Sequence, residues 1–365
     1  MNEDSATKGF VAHLDDFFVK NFRNLRVTLQ EHCEDRSLSD LQPSPISPAE
    51  EGLGMFRIFE EEEEEEEESQ DPEVDKLFYK MIIAPVVHFL EDPEILIVPH
   101  RSLYRVPFAA LRDENGKYLA EKFRIRIVPS SLTLKLIQDS PPDYHYQTGA
   151  LIVGDPVVGH VLYKGNTQYL SRLPAARREA EMIGQLIGVT PLLGKSATKQ
   201  AVLERLNSVG LIHLAAHGNA ETGEVALSPV HPDNRILQEE EYLLTMSEIS
   251  KVQLRAKLVV LSCCHSANGQ IRAEGVVGIA RAFLGSGARS VLVALWAIED
   301  RATEQFMRCF YEHLVRGESA SKSLHETMKW MRSHGYSDIG QWAPFMLIGD
   351  DVTFAFSKMV SLSCK

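Results

Sequence analysis

From position 149 onward the chain alternates short, almost uninterrupted apolar runs with amphipathic stretches of helical period. The runs at 150–153, 191–193, 211–216, 257–262, 290–295 and 344–348 predict strands buried on both faces. The stretches between them predict helices over about 175–188, 198–207, 274–285, 301–316 and 319–333. In the fourth of these, Ala302, Phe306, Phe310 and Leu314 share one face, and Gly317 supplies the stop. Such alternation predicts an α/β fold with a mostly parallel sheet flanked by helices. Upstream, a helix from Val74 to Leu90 and strands at 95–98 and 123–128 outline a smaller α/β subdomain over 74–140. A polar joint rich in Pro and Tyr leads from it to the main subdomain over 148–355. No self-similarity with a period of about 34 residues occurs, which excludes a repeat array within the chain.

The first 73 residues read differently. Phe10, Leu14, Phe17, Phe18, Phe22, Leu25 and Leu29 recur at helical steps, so 1–34 is expected to be an amphipathic helical segment. It cannot bury its own face and must dock on something. Residues 35–73 carry Pro43, Pro45 and Pro48 among serines and then the run Glu60 to Glu68, the composition of a disordered linker. Of the formal charge of −13, twelve negative charges fall between Glu60 and Asp75 with no Lys or Arg among them, leaving about −1 for the rest. The run reads as a solvated spacer, or else as a tether for a basic partner. No basic stripe for nucleic acid is present. The start, Met1-Asn2-Glu3-Asp4, is acidic where a secretory leader would be basic and then apolar. The stretch from Met81 to Leu90 is far short of the roughly twenty residues a membrane helix needs. With five cysteines in 365 residues, the expectation is a cytoplasmic protein with reduced thiols, no membrane contact and no disulfide framework.

Candidate chemistry sits where two strands end. One runs Ile212-His213-Leu214-Ala215-Ala216-His217-Gly218, the other Leu258-Val259-Val260-Leu261-Ser262-Cys263-Cys264-His265. Open α/β sheets bind ligands beyond the carboxyl ends of their strands, and adjacent strands lie about 4.8 Å apart. If these two are neighbours, a thiol and an imidazole share one rim. Two His four residues apart also form the skeleton of a helical zinc site, but the Glu such a motif needs is replaced by Leu214, Ala215 and Ala216. No metal and no cofactor is expected. His213, mid-strand, reads as packing or support. A thiol needs a base or a positive field to ionise near neutral pH, which an imidazole provides. A Gly after the His and amides at a strand–loop turn suit an oxyanion.

Several segments in order resemble the CHAT domains, caspase-like domains usually attached to tetratricopeptide repeats and related to caspases and separases. They are Ile97-Val98-Pro99-His100, Val106-Pro107-Phe108-Ala109-Ala110-Leu111, Val128-Pro129-Ser130-Ser131-Leu132, Val153-Gly154-Asp155-Pro156, Leu173-Pro174-Ala175-Ala176, His213 to Gly218, Leu261-Ser262-Cys263-Cys264, Leu295-Trp296 with Asp300, and Trp342-Ala343-Pro344-Phe345. The resemblance spans roughly 74–353. It implies a caspase-like fold, Cys264 as nucleophile, His217 as its partner, and the Gly218 and Cys264 amides as oxyanion donors. Cys263 stands where the family usually has Ala, and His265 where many members have a polar residue.

Two functions follow from the resemblance. One is a regulated cysteine endopeptidase acting on a protein or peptide through an acyl-enzyme. The other is a non-catalytic interaction module that docks a tetratricopeptide-repeat or regulatory protein. Asp300, after the Leu-Trp pair, is expected either to line a pocket for a basic residue before the cleaved bond or to cap the following helix. Asp155 is expected to contact substrate or to serve as a turn residue.

Overall fold

The computed structural model describes residues 74–356, apart from 101–102, 105, 142, 219–222, 232–234, 264–272 and 297, and the backbone alone for 273–277. The expected helical segment at 1–34, the linker at 35–73 and Cys264 therefore lie outside the described residues.

The strands are β1 (Glu94–Ile97), β2 (Arg124–Ile127), β3 (Ala150–Gly154), β4 (Gly159–Tyr163), β5 (Asn166–Leu170), β6 (Leu192–Leu193), β7 (Leu211–Ala215), β8 (Val225–Ala226), β9 (Leu243–Leu244), β10 (Leu258–Leu261), β11 (Ser290–Ala294) and β12 (Phe345–Gly349). Eight of them form one sheet in the order β1-β2-β12-β11-β10-β7-β3-β6. Every neighbouring pair is parallel except β11 and β12. The expected mostly parallel α/β sheet is what the chain forms, and the strands at 94–97 and 124–127 extend that same sheet.

Five longer helices cover it: α1 (Ser131–Gln138), α2 (Pro174–Ile187), α3 (Ala273–Gly285), α4 (Asp300–Val315) and α5 (Ala320–Ser333). The residues of β7, β10, β11 and β12 are buried throughout, as a sheet covered on both faces requires. Alternation along the strands sorts the layers. His213 points to Glu179 on α2 and Tyr311 on α4. Leu261 and Val293 instead line a pocket with Ile279 of α3. Helix α2 sits close to β3 because Gly154 lacks a side chain: a Cβ there would lie 2.5 Å from Ala180 Cβ and 2.8 Å from the Ala176 carbonyl.

Strand β2 meets β12 through the single registered pair Ile127 and Ile348. A buried guanidinium reinforces the junction. Arg126 donates to both Glu94 carboxylate oxygens at 3.0 Å and to the Gly349 carbonyl at 3.3 Å. Its remaining partner is Asp350 at 3.4 Å, which Arg289 also holds at 2.7 Å.

The sequence reading did not anticipate the hairpin β4–β5, whose two-residue turn Lys164-Gly165 has φ of 47° and 80°. This pair of left-handed residues is what a tight hairpin of that length requires. The hairpin shares a second, smaller apolar cluster with β8 and β9, made of Val161, Ala226, Leu237, Tyr242 and Leu243. The helix expected from Val74 to Leu90 is broken into an α turn at 74–78, a wider turn at 79–83 and a 3₁₀ turn at 87–89, with Pro85 between the last two.

Candidate functional site

Strands β7 and β10 are neighbours, paired in parallel with His213 opposite Val260 and Leu214 opposite Leu261. Their carboxyl ends therefore share one rim. The pairing continues past the regular strands, where the Ser262 amide donates to the Leu214 carbonyl at 2.9 Å.

His217 stands just beyond β7 and is 4 % exposed. Its backbone is clamped by a bridge between Gly218 and Val225, and the Ala226 amide donates to the His217 carbonyl at 2.8 Å. That bond does not use the Gly218 amide. On the ring, Nε2 lies 2.7 Å from the Ser171 carbonyl oxygen. A carbonyl can only accept, so Nε2 carries the proton and Nδ1 is the basic nitrogen of the neutral ring. Burial pushes the His217 pKa down, against the opposing pull of the Ser171 carbonyl and the Asp155 carboxylate. The imidazole thus holds its neutral, proton-accepting form to lower pH than a solvated histidine.

Cys263 follows Ser262, and its thiol lies 3.7 Å from the Leu214 carbonyl. It lines the narrow pocket formed with Gly218, Gly223, Leu261, Ile279, Val293 and Ala294. Cys263 is thus on the α3 face with Leu261, partly exposed. Cys264, the expected nucleophile and amide donor, lies outside the described residues, as does His265.

His213 is fully buried. Its Nδ1 lies 3.1 Å from the Tyr311 hydroxyl, and its Nε2 is 3.0 Å from Glu179 Oε1 in a contact too poorly angled for a hydrogen bond. Burial first, and then the Glu179 charge, push the Tyr311 pKa well up, so the phenol keeps its proton in this contact. The ring is locked between two helices as a support under the rim.

The two acidic residues have different surroundings. Asp155 is 1 % exposed, and its carboxylate is occupied within the protein. Arg172 Nε donates to both of its oxygens at 3.0 and 3.1 Å, Arg172 Nη2 pairs with Oδ2, and the Leu173 amide donates to Oδ1 at 2.7 Å. Among the described residues these donors take up the Asp155 carboxylate, an arrangement that suits the turn alternative better than a substrate contact. Its turn is real, with φ of 51°. Asp300 is exposed and begins α4, whose cap position is Glu299. The expected capping role thus falls one residue earlier, and no side-chain cap bond is made there. Desolvation raises the Asp300 pKa, with Arg178 opposing and Glu299 adding to the rise.

Sequence reasoning missed Ser171, because the group that matters is a backbone carbonyl, and it missed Arg172 as the partner of Asp155. Among the described residues, no group of three potential metal ligands occurs, and no helix is long and apolar enough to cross a membrane.

An open, mostly parallel α/β sheet that presents a buried, proton-accepting histidine at the carboxyl end of a central strand defines the class of scaffold. The CHAT domain model matches residues 73–350, and the chain belongs to this family. It is 30% identical over 324 residues to human Tetratricopeptide repeat protein 28, covering 76% of this chain and 13% of the relative. The mouse protein of the same name is 30% identical over 368 residues, covering 88% of this chain and 15% of that protein. The chain thus spans only a small part of the length of these relatives. Among solved structures, it is similar to the Saccharomyces cerevisiae separase–securin complex, with 19% identity, a TM-score of 0.46, and coverage of 71% of this chain and 16% of that one. It is also similar to the Arg-specific cysteine proteinase gingipain R, with 11% identity, a TM-score of 0.44, and coverage of 76% and 67%.

Proposed function

We propose that this chain is a cysteine endopeptidase unit of the caspase-like kind, with Cys264 as nucleophile and His217 as its base. The observation that carries the reading is the His217 ring: buried, clamped by its backbone, and fixed with Nε2 donating to Ser171 so that Nδ1 is the acceptor. The strand register supports the choice of thiol: β7 and β10 pair in parallel, so the chain that follows each strand leaves at the same rim.

In this mechanism His217 Nδ1 takes the thiol proton, and the Cys264 sulfur attacks the peptide carbonyl carbon. The oxyanion is held by the Gly218 and Cys264 amides. Collapse breaks the C–N bond, with the proton on His217 passing to the leaving amine. Water, deprotonated by the same imidazole, then releases the acyl group as a carboxylate and restores the thiol. The substrate is a protein or peptide. Asp300 is the carboxylate proposed to receive a basic side chain before the cleaved bond.

The test is reaction with a thiol-reactive peptide electrophile, with the modified residue located by peptide mapping. Modification at Cys264 that is lost in Cys264→Ala and slowed in His217→Gln is the expected result. Equal labelling of Cys264→Ala overturns the nucleophile. A His217→Gln variant that reacts at the parent rate favours the alternative, an interaction module that docks a tetratricopeptide-repeat or regulatory protein. Cleavage of a peptide panel after residues other than Arg or Lys removes the role given to Asp300.

A further inference from the structure

We infer that Asp155 is a positioning residue for His217, holding the 171–173 segment so that the Ser171 carbonyl faces the imidazole. The inference rests on the reading of His217 as the catalytic base and adds to it a residue outside the reacting pair.

The geometry is a short closed circuit. The Asp155 amide donates to the carbonyl of Ala215, the last residue of β7, at 3.2 Å, two residues before His217. The Asp155 carboxylate takes the Leu173 amide at 2.7 Å and the Arg172 guanidinium. The residue before Arg172 is Ser171, whose carbonyl accepts from His217 Nε2 at 2.7 Å. One residue therefore fixes both the strand that carries the imidazole and the segment that orients it.

The chain tolerates two costs at this position. A carboxylate 1 % exposed persists only with its lone pairs satisfied. A non-glycine residue at φ of 51° persists only where its surroundings over-determine it. A turn alone would need neither a buried charge nor a bound arginine, because Gly or Asn forms it at lower cost. Arg172 remains about half exposed at 52%, so the ion pair reaches from the buried carboxylate to the surface beside the histidine. Among the described residues, Asp155 is the charged side chain acting on His217, while Arg172 and Arg177 act on Asp155.

Asp155→Asn is the informative change. It keeps the size and the amide bond to Ala215. It removes the charge and sets a side-chain NH₂ against the donors of Arg172 or Leu173. Both the lost charge and a displaced Ser171 carbonyl disfavour the imidazolium, so the two effects act in the same direction. The experiment follows the His217 ring nitrogens by NMR in the full chain labelled at histidine, assigned with His217→Gln, beside the pH profile of Cys264 alkylation. The parent is expected to show the Nε2–H tautomer. Asp155→Asn is expected to populate the Nδ1–H tautomer, to lower the titration midpoint by about one pH unit, and to slow alkylation at its plateau about tenfold, the equivalent of one lost charge-assisted hydrogen bond. An unchanged tautomer and midpoint in Asp155→Asn overturn the inference. If that variant does not fold, Arg172→Gln, at a half-exposed position, replaces it, and an unchanged tautomer there overturns the inference equally. Cys264→Ala separates the two proposals. Alkylation unaffected by Cys264→Ala defeats the peptidase reading, while the ring-nitrogen spectra still judge Asp155.

Discussion

Replacing Tyr311 by Phe isolates one hydrogen bond beneath the candidate site. The hydroxyl meets His213 Nδ1 at 3.1 Å, and both side chains are fully buried. The phenyl ring keeps the edge-on contact with the imidazole, whose centroids are 5.6 Å apart, so packing is preserved. What changes is that a buried ring nitrogen loses its hydrogen-bond partner. Such an orphaned buried polar group costs about 1–3 kcal/mol. For a domain of this size each kcal/mol moves the melting temperature by roughly 2–4 °C, which gives a drop of about 2–12 °C. Calorimetry on the full chain reads it directly. Tyr242→Phe is the internal control, since its hydroxyl reaches the Leu162 carbonyl only at 3.4 Å. That loss is expected to stay below about 1 kcal/mol. A Tyr311→Phe variant that melts with the parent would show that the His213 ring is satisfied without the phenol, and the account of His213 as a locked support would fall.

Two further outcomes follow from the same packing and protonation. Gly154→Ala forces a methyl against Ala180 and the Ala176 carbonyl, and overpacking of that kind costs about 1–3 kcal/mol. The urea midpoint should fall, and an unchanged midpoint would show that α2 can shift freely. Burial is the leading cause that holds the pKa of His145, His217 and His325 below the ordinary 6.5. The unfolded chain therefore binds more protons below that value. Stability is complete above about pH 6.5 and falls as the pH drops below it. His217→Gln should flatten part of this slope in denaturant titrations, and a slope equal to the parent's would contradict the buried, neutral ring.

The central strands were legible because burial on both faces leaves little room for polar residues, so 258–261 and 291–294 announce themselves by composition. The hairpin β4–β5 was not, since Asn166, Thr167 and Gln168 are exposed and only Gly165 hints at the turn. Helix α1 was hidden for the same reason: Leu132 and Leu136 are each 65% exposed, so no apolar face marks it clearly. At the site, His217 was legible as a side chain at a strand end. Its tautomer was not, because that depends on a carbonyl 46 residues away in the chain, and backbone groups leave no trace in residue type. Asp155 was legible as a turn or a substrate contact, but its partner was not. The arginine that occupies it lies 17 residues on, across a hairpin the pattern did not reveal.

The antiparallel junction between β11 and β12 gives the sheet two polarities. Strands β3, β6, β7, β10 and β11 run one way, and β1, β2 and β12 run the other. The loops that leave β1 and β2 therefore emerge at the end of the molecule opposite His217, about a strand's length away, or roughly 17 Å for five residues. A partner seated on the loops after β1 and β2 would leave the histidine rim open. Any influence it exerts would reach the rim through the packing of the sheet, where Val106 to Ala109 meet Leu295 and Phe345, rather than by obstruction.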